Sequence, residues 1–290
     1  MDRSVSIPFM KSKNADNFSY VSGLALLLAA ATTLTAAPAH AGFDVSVSPP
    51  RLELRAKPGD IVRQTIAINN LGNDPGRYLT KTADWELGAA GDALMQEGAP
   101  KPGSCRPWVR LERHEISVAP GDTRNYRFEV HVPADARNGE CRFALLVSSE
   151  AGTVTPSGAS FISIPIVGRL GVIVYVTIGD AKPVMKLERI GMQKVNGKHL
   201  PVATFRNSGD AHGRVSGHLE ALDANRHKVD LIADESVILP NSARGVTLTP
   251  MDWSSGEGKP PAFDLTLPMH IRGTLQFLGG GEVKIDQVLR

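Results

Sequence analysis

The sequence predicts an all-β protein composed of two immunoglobulin-like β-sandwich domains. Segments of strand length with alternating apolar residues recur along the chain, and clusters of Gly, Pro, Asn and Asp separate them. Almost no segment carries the 3.6-residue apolar period of an amphipathic helix. About seven strand-like segments lie before residue 179, which is the number typical of an immunoglobulin-type sandwich.

The candidate strands of the first domain, residues 42–179, are bounded by turns with a clear chemical cause. Two Pro-Gly-Asp turns, at residues 58–60 and 120–122, each lead into an alternating segment. The candidate strands are Phe43–Ala56 (broken at Pro49-Pro50), Val62–Ile68, Arg77–Leu87, Val109–Val118, Tyr126–Val132, Cys141–Ser148 and Phe161–Ile178.

The run Phe161–Ile178 is too long for one ordinary strand. Pro165 cannot donate a ladder hydrogen bond, so we expect its half of the run to lie at a sheet edge. Soluble proteins normally avoid a long apolar edge because it pairs with other chains. This edge therefore suggests a protein that binds another polypeptide.

The second domain, residues 184–290, follows a boundary at residues 179–183. Its segment Asp252–Ala262 is rich in Gly, Ser and Pro and is expected to be a loop. The candidate strands are Val202–Phe205, Arg214–Leu222, Val237–Leu239, Val246–Leu248, Phe263–Leu267, Ile271–Leu278 and Val283–Val288.

The N-terminus has the pattern of a signal peptide. A sparsely basic start precedes the apolar stretch VSGLALLLAAATTLTAA, and small residues at Ala39 and Ala41 form an A-x-A cleavage site. We expect residues 1–41 to be removed after Ala41 and the product to be exported, the alternative being an N-terminal membrane anchor. No later stretch reaches the roughly 18 apolar residues of a membrane helix, so no span is expected in the mature chain.

The chain has two cysteines, Cys105 and Cys141. In an oxidising compartment an isolated pair is most simply explained as one disulfide. The alternative is a redox or metal pair, but the spacing suits neither and no histidine lies close enough in sequence to complete a zinc site.

The sequence contains no catalytic constellation and no pattern for a cofactor or a metal. The histidines form no ligand pair on one element, and neither a nucleophile elbow nor a phosphate-binding glycine loop is present. We expect Asp84 and Glu86 to be solvent-facing charges beside Trp85. A net charge of +2 without a basic stripe makes nucleic acid an unfavoured partner.

Four segments together resemble the periplasmic chaperones of the chaperone–usher pathway of pilus assembly. They are Ser48–Leu54, the turn at residues 58–59 with the strand Ile66–Asn70, Arg169–Val176, and Phe205–His212. The resemblance implies a periplasmic, non-enzymatic protein that binds and stabilises pilus or fimbrial subunits by donor-strand complementation. It also implies delivery of these subunits to an outer-membrane usher for assembly of a surface fibre.

The resemblance further implies roles for five residues. Ile162, Ile164 and Ile166 would be the donor-strand side chains, and Arg51 and Arg169 would hold the terminal carboxylate of the subunit. The family usually has lysine where Arg169 stands, and Pro165 shortens the ladder that the donor strand offers. Self-association through the edge strand remains open.

Other interpretations of the same residues are a secreted two-domain adhesin or cell-wall-binding module, and an enzyme whose site the sequence does not reveal. The alternative for the isoleucines is a core strand buried on both faces, and the alternative for Arg51 and Arg169 is a pair of surface cations with packed aliphatic stems. Genes for pilins and an usher next to this one would favour the chaperone.

Overall fold

A computed structural model of the chain describes residues 44–88, 91–149, 152–154, 164–166, 168–254 and 256–290. The candidate signal peptide, residues 1–41, lies outside the described residues. The described residues form two β-sandwiches, which confirms the predicted fold class. The exact boundaries of the two domains stay a prediction.

The first sandwich contains strands from residue 45 to residue 178. They are β1 (Val45–Ser48), β2 (Arg51–Ala56), β3 (Ile61–Asn70), β4 (Gly76–Leu87), β5 (Ala93–Gln96), β6 (Val109–Leu111), β7 (Glu115–Val118), β8 (Thr123–His131), β9 (Gly139–Ser149), β10 (Gly152–Val154), β11 (Ile164–Ile166) and β12 (Arg169–Ile178). One 3-10 helix, Arg106–Trp108, precedes β6.

The strand order of the first sandwich is that of an immunoglobulin-type fold. One sheet has the order β1-β3-β8-β6, and the facing sheet has the order β2-β12-β9-β4-β5 with β7 also paired to β4. All these pairs are antiparallel except β2 with β12, which are parallel. Strands β10 and β11 form a separate two-stranded sheet.

The core of the first sandwich lies between the inner faces of these two sheets. Phe128 of β8 and Phe143 of β9 meet edge to face with ring centroids 6.1 Å apart. Each is at most 1% exposed, and full burial of such a side chain contributes roughly 1.5–3 kcal/mol. The predicted disulfide is confirmed: Cys105 and Cys141 are bonded, and Cys105 is completely buried.

Two predicted strands of the first domain are divided in the structure. The segment Val109–Val118 forms β6 in one sheet and β7 in the other, so the chain changes sheets between residues 111 and 115. The run Phe161–Ile178 contains β11 and, from Arg169 onward, β12. The prediction of Val109–Val118 as a single segment was wrong, because periodicity does not show where a chain changes its ladder partner. The division of Phe161–Ile178 agrees with the expectation that this run is too long for one strand.

The second sandwich contains strands from residue 185 to residue 289. They are β13 (Met185–Val195), β14 (Lys198–Asn207), β15 (Val215–Ser216), β16 (His218–Leu222), β17 (Lys228–Ala233), β18 (Ser242–Met251), β19 (Met269–Phe277) and β20 (Glu282–Leu289).

Strand β18 joins the two layers of the second sandwich. Its residues 242–247 pair with β14, and its residues 248–251 pair with β17. The order β13-β14-β18-β17-β16-β19 therefore folds over a core that includes Phe205, Leu231 and Ile271, and β20 pairs with β19.

The strand predictions for the second domain needed correction. Strands β13 and β17 were not predicted, and Phe263–Leu267 is not a strand. The segment Val237–Leu239 contributes only an isolated bridge between Ile238 and Gly213. Prolines at 260, 261 and 268 flank Phe263–Leu267 and deprive it of ladder donors.

A buried asparagine closes an equivalent turn in each sandwich. Asn70 accepts a hydrogen bond from Gly72 N–H at 3.0 Å and donates to the carbonyls of Asp74 and Val118 at 2.7 and 3.1 Å. The side chain of each asparagine thus satisfies backbone groups that a turn would otherwise leave unpaired.

Asn207 repeats this arrangement in the second sandwich. It accepts from Gly209 N–H and Val184 N–H, both at 3.0 Å, and donates to the carbonyls of Ala211 and Ile238 at 2.8 and 3.1 Å. The same turn chemistry in both domains indicates that they share one architecture.

We expect Asn207→Ala to lower the free energy of unfolding by about 2–4 kcal/mol, because it leaves buried backbone groups without partners. Urea denaturation followed by circular dichroism measures this loss. Asn225→Ala, at an exposed turn position, is the matched control and should change stability little. An equal effect of both substitutions would show that the Asn207 hydrogen bonds contribute no net stability.

Candidate functional site

The sheet edge at the start of β12 is open among the described residues. Strand β9 pairs with β12 along its whole length, from Arg169 opposite Ser148 to Ile178 opposite Gly139. Strand β2 pairs with the other side of β12 only from Ile173 onward. The backbone from Arg169 to Val172 therefore has no described ladder partner on that side, and we call these four residues the open edge.

The chain itself explains why β2 begins where it does. Pro49 and Pro50 separate β1 from β2, and neither proline can donate to a ladder. The Pro50 carbonyl accepts a hydrogen bond from Ile173 N–H at 3.1 Å, and Arg51 is the first residue of β2 in register with β12. A strand placed against the open edge would have to end where β2 starts, at Arg51.

The interior-facing side chains of β12 are its even-numbered residues. Leu170 is partly buried and Val172 is 1% exposed, and both pack on the core of the first sandwich. Ile162, Ile164 and Ile166 share this parity in the sequence. Ile164 and Ile166 lie in β11, whereas Ile162 lies outside the described residues, so the donor-strand role of the three stays a prediction.

Arg51 and Arg169 lie on the same face of the sheet but do not share a partner among the described residues. Arg51 is opposite Ile173, four residues from Arg169, which corresponds to about 13 Å along the strand. Arg51 forms an ion pair with Glu53, with Nε to Oε1 at 3.1 Å. Arg169 pairs with Glu97, which also pairs with Lys81.

Arg51 is close to the junction between the two sandwiches. We define the junction cluster as Glu53, Glu140, Tyr175, His212 and Arg214, of which the first three belong to the first sandwich. Nδ1 of His212 lies 2.5 Å from Oε2 of Glu140, and the backbone N–H of His212 donates to the same oxygen at 3.0 Å. The Glu140 side chain is fully buried, so this contact fixes the turn after β14 on the first sandwich.

Tyr175 is at the centre of the cluster. Its ring stacks on His212 with centroids 4.0 Å apart and meets Trp85 edge to face at 5.6 Å, and the guanidinium of Arg214 lies 6.0 Å from its centroid. Burial raises the pKa of Tyr175, and the neighbouring Arg214 partly offsets this effect. The phenol is therefore neutral at physiological pH.

Several buried polar atoms near the junction have no hydrogen-bond partner. Among the described residues, these atoms lie either on the outer face of the first sandwich or on the elements of the second sandwich that approach this face. They are Trp85 Nε1, Glu140 Oε1, Arg142 Nε, His212 Nε2, Arg214 Nε and Arg244 Nε. Four of the six are N–H donors whatever the protonation state of His212, so the junction has a surplus of donors.

The junction cluster was not predicted from the sequence. Glu140 and His212 are 72 residues apart and belong to different domains, so no local spacing links them. The available signal was the segment Phe205–His212, which carries part of the family resemblance. The last residue of that segment, His212, contacts the first sandwich.

The described residues contain no group of three or more His, Cys, Asp or Glu that could hold a metal ion. Within the same ranges, no helix has the length and apolar character needed to cross a membrane.

Comparison with family models and with curated protein sequences gives no match. Among solved structures, the chain is similar to the YadV chaperone, with a TM-score of 0.45, 10% identity and coverage of 85% of this chain and 100% of that one. It is similar to the CsuC–CsuE chaperone–tip adhesion subunit pre-assembly complex of Acinetobacter baumannii, with a TM-score of 0.42, 12% identity and coverage of 85% and 99%.

A third similar structure is the Salmonella enterica SafA pilin in complex with the SafB chaperone, with a TM-score of 0.42, 10% identity and coverage of 86% and 97%. Many of the similar structures are thus described as chaperones, and the descriptions of several name fimbriae, pili or a pilin. Identities of 10–12% with TM-scores below 0.5 do not by themselves assign the chain to that family.

Proposed function

We propose that this protein is a periplasmic chaperone that holds pilus or fimbrial subunits by donating a strand to them and delivers them to an outer-membrane usher. The observation that carries the proposal is the open edge: β12 is fully paired on one side, and its first four residues lack a described partner on the other. An unpaired edge next to an apolar core is a template for a foreign strand.

The open edge also sets where such a strand would stop. Hydrogen bonds to β12 between residues 169 and 172 would extend the ladder that β2 forms from Ile173 onward. A subunit strand parallel to β12 would then have its C-terminus beside Arg51. Alternate apolar side chains of the donor run, Ile162, Ile164 and Ile166, would fill the gap in the subunit core.

Arg51 is positioned to bind the terminal carboxylate of that strand, and Arg169 lies farther along the same face. A guanidinium–carboxylate contact forms charge-assisted hydrogen bonds worth roughly 1.5–3 kcal/mol each. Binding of this kind requires no catalysis. Removal of residues 1–41 and export to the periplasm would bring the chain together with its subunits.

We expect Ile164→Asp and Arg51→Ala each to reduce the amount of co-purified subunit at least tenfold. The first places a charge where an apolar side chain should enter the subunit, and the second removes the carboxylate partner. The measurement is affinity purification from periplasmic extract with mass spectrometry of the bound proteins. Arg169→Ala tests the second cation in the same way.

Ser163→Asp is the matched control for Ile164→Asp, because it adds the same charge one residue away on the opposite parity. It should leave the subunit yield close to that of the wild type. If no β-rich subunit co-purifies with the wild type, or if Ile164→Asp and Ser163→Asp are equally harmless, the donor-strand function is wrong.

A further inference from the structure

The carboxylate of Glu53 faces basic side chains from both sandwiches. Its Oε1 lies 3.1 Å from Nε of Arg51, 3.8 Å from Nε of Arg214 and 3.6 Å from Nε2 of His212. Only the Arg51 ion pair is within the distance range of a hydrogen bond. Glu53 is therefore close to all three nitrogen atoms, but it lies beyond hydrogen-bonding distance of the nitrogens of Arg214 and His212.

Nε of Arg214 and Nε2 of His212, which form no hydrogen bond with Glu53, are buried, and other contacts hold their side chains in place. Nε of Arg214 has no hydrogen-bond partner, while Nη1 of the same residue donates to the Glu235 carbonyl at 2.7 Å. The His212 side chain is only 5% exposed and is held through Nδ1 by Glu140, which leaves Nε2 without a partner.

Three of these residues, Arg51, Glu53 and Arg214, border a pocket that is open to solvent. The pocket has a volume of about 530 Å³ and is lined by Arg51, Glu53 and Arg214, with Gln276 and Gly279 on the second sandwich. The Glu53 side chain is 37% exposed, so it has room to move away from Arg51 and Arg214. A fixed set of donors and a movable carboxylate thus meet at one opening.

We propose that Glu53 is an internal occupant of a carboxylate-binding site that Arg51 and Arg214 form across the two sandwiches. A carboxylate carried by a bound polypeptide displaces Glu53 and takes its place between the two guanidiniums. The proposal rests on the proposed function for the nature of the ligand, and it differs from it in naming Arg214 rather than Arg169 as the partner of Arg51.

Self-occupancy has a measurable consequence. An incoming carboxylate must compete with a carboxylate that is covalently part of the site, so the apparent affinity is lower than the intrinsic affinity of the two arginines. Because Arg214 comes from the second sandwich, the bound carboxylate also bridges the two domains. Removing the charge of Glu53 should therefore raise the affinity for the ligand.

The test uses an N-acetylated eight-residue peptide of alternating Val and Thr in three forms: with a free C-terminal carboxylate, with a C-terminal amide, and with a final Glu followed by an amide. We expect Glu53→Gln to bind the free-carboxylate peptide about tenfold more tightly than the wild type, as measured by isothermal titration calorimetry. The plain amide should show no gain. A gain for the Glu-amide peptide would assign side-chain carboxylates to the site as well.

Glu235→Gln is the matched control, since Glu235 borders the same pocket and its carboxylate forms no ion pair with described residues. It should change the affinity less than threefold, and Arg214→Gln in the Glu53→Gln background should abolish the gain. Glu53→Asp keeps the charge on a shorter side chain and provides a second variant if Glu53→Gln unfolds; its affinity should lie between those of the wild type and Glu53→Gln.

Equal affinity of the wild type and Glu53→Gln for the free-carboxylate peptide, or an equal gain with the plain amide, would overturn the proposal. These results are independent of the subunit purification. If the wild type co-purifies with a subunit but Glu53→Gln shows no gain in peptide affinity, only the proposal that Glu53 occupies the site is refuted. A gain in Glu53→Gln without any co-purified subunit refutes only the chaperone function.

Discussion

Removal of the disulfide by the double substitution Cys105→Ser and Cys141→Ser is expected to lower the free energy of unfolding of the first sandwich by about 3–4 kcal/mol. The bond closes a loop of 36 residues, which holds β6, β7 and β8. The cross-link restricts the unfolded chain, and this restriction is lost when the loop is opened. Both cysteines are replaced together so that no free thiol remains.

Urea denaturation measures this loss in a Trp253→Phe background, because the two remaining tryptophans, Trp85 and Trp108, both belong to the first sandwich. Dithiothreitol should destabilise the parent protein by a similar amount and leave the double-serine variant unchanged. A loss below about 1 kcal/mol with an unchanged denaturant slope would contradict the loop-closure argument.

The sequence predicted the fold class because the information is local. Alternation in β8, from Tyr126 through Phe128 to Val130, marks the residues that are buried in the core. The Pro-Gly-Asp turns and the isolated cysteine pair were equally direct signals. The strands and turns depend on residues that are close in sequence, and two cysteines can form only one disulfide.

Strand β13 was missed for a physical reason that can be located. Met185 and Leu187 pack on the second core with one parity, and Ile190 and Met192 with the other. The register shifts between Leu187 and Arg189, so one extra residue reverses the alternation. A search for unbroken period-two patterns cannot detect a strand with a bulge in its middle.

Strand β17 is a different kind of error, because its signal was present. Val229, Leu231 and Ala233 are all buried and alternate with the half-buried Asp230 and the exposed Ile232. The preceding turn, Asp223–Arg226, was recognised, but the strand that completes its hairpin with β16 was not. A hairpin turn of this kind joins two strands, so a strand should have been predicted after it as well as before it.

The candidate site was predicted only in part. The sheet edge was predicted in the half of the run that contains Pro165, and this stays a prediction; the open edge that the structure describes lies at residues 169–172. The contacts of Arg51 could not be predicted, because they depend on Glu53 and on Arg214 of the other domain. Such a site arises from the packing of two domains, which leaves no spacing in the sequence.

Asp84 shows how a long-range constraint changes the role of a charge. It was predicted to face solvent, but its side chain is only 8% exposed, so the prediction was wrong; Glu86 is exposed as predicted. Ser104 and Arg106, the neighbours of Cys105 in the sequence, both donate hydrogen bonds to the Asp84 carboxylate. The distances are 2.5 Å from Ser104 Oγ and 3.2 Å from Arg106 Nη1. The disulfide fixes this segment over β4 and thereby covers Asp84.

We expect Asp84→Asn to lower the free energy of unfolding at neutral pH by about 3 kcal/mol, because Arg106 is then buried without its counter-ion. Burial by itself raises the pKa of Asp84, but hydrogen bonds from Ser104, the Lys101 N–H and Arg106 outweigh it and lower the pKa below the usual value of 3.8. The carboxylate therefore stabilises the fold fully above that value, and the contribution is lost as the pH falls through the lowered pKa.

The stability difference between the wild type and Asp84→Asn should accordingly be constant from pH 7 to about pH 5 and decrease below pH 4, as measured by urea denaturation at each pH. Glu86→Gln, two residues along β4, is the control: Glu86 pairs with Lys101 in solvent, and its loss should change the unfolding midpoint little. A difference between the wild type and Asp84→Asn that does not decrease in acid would mean that the charge of Asp84 is not what stabilises the segment around Cys105.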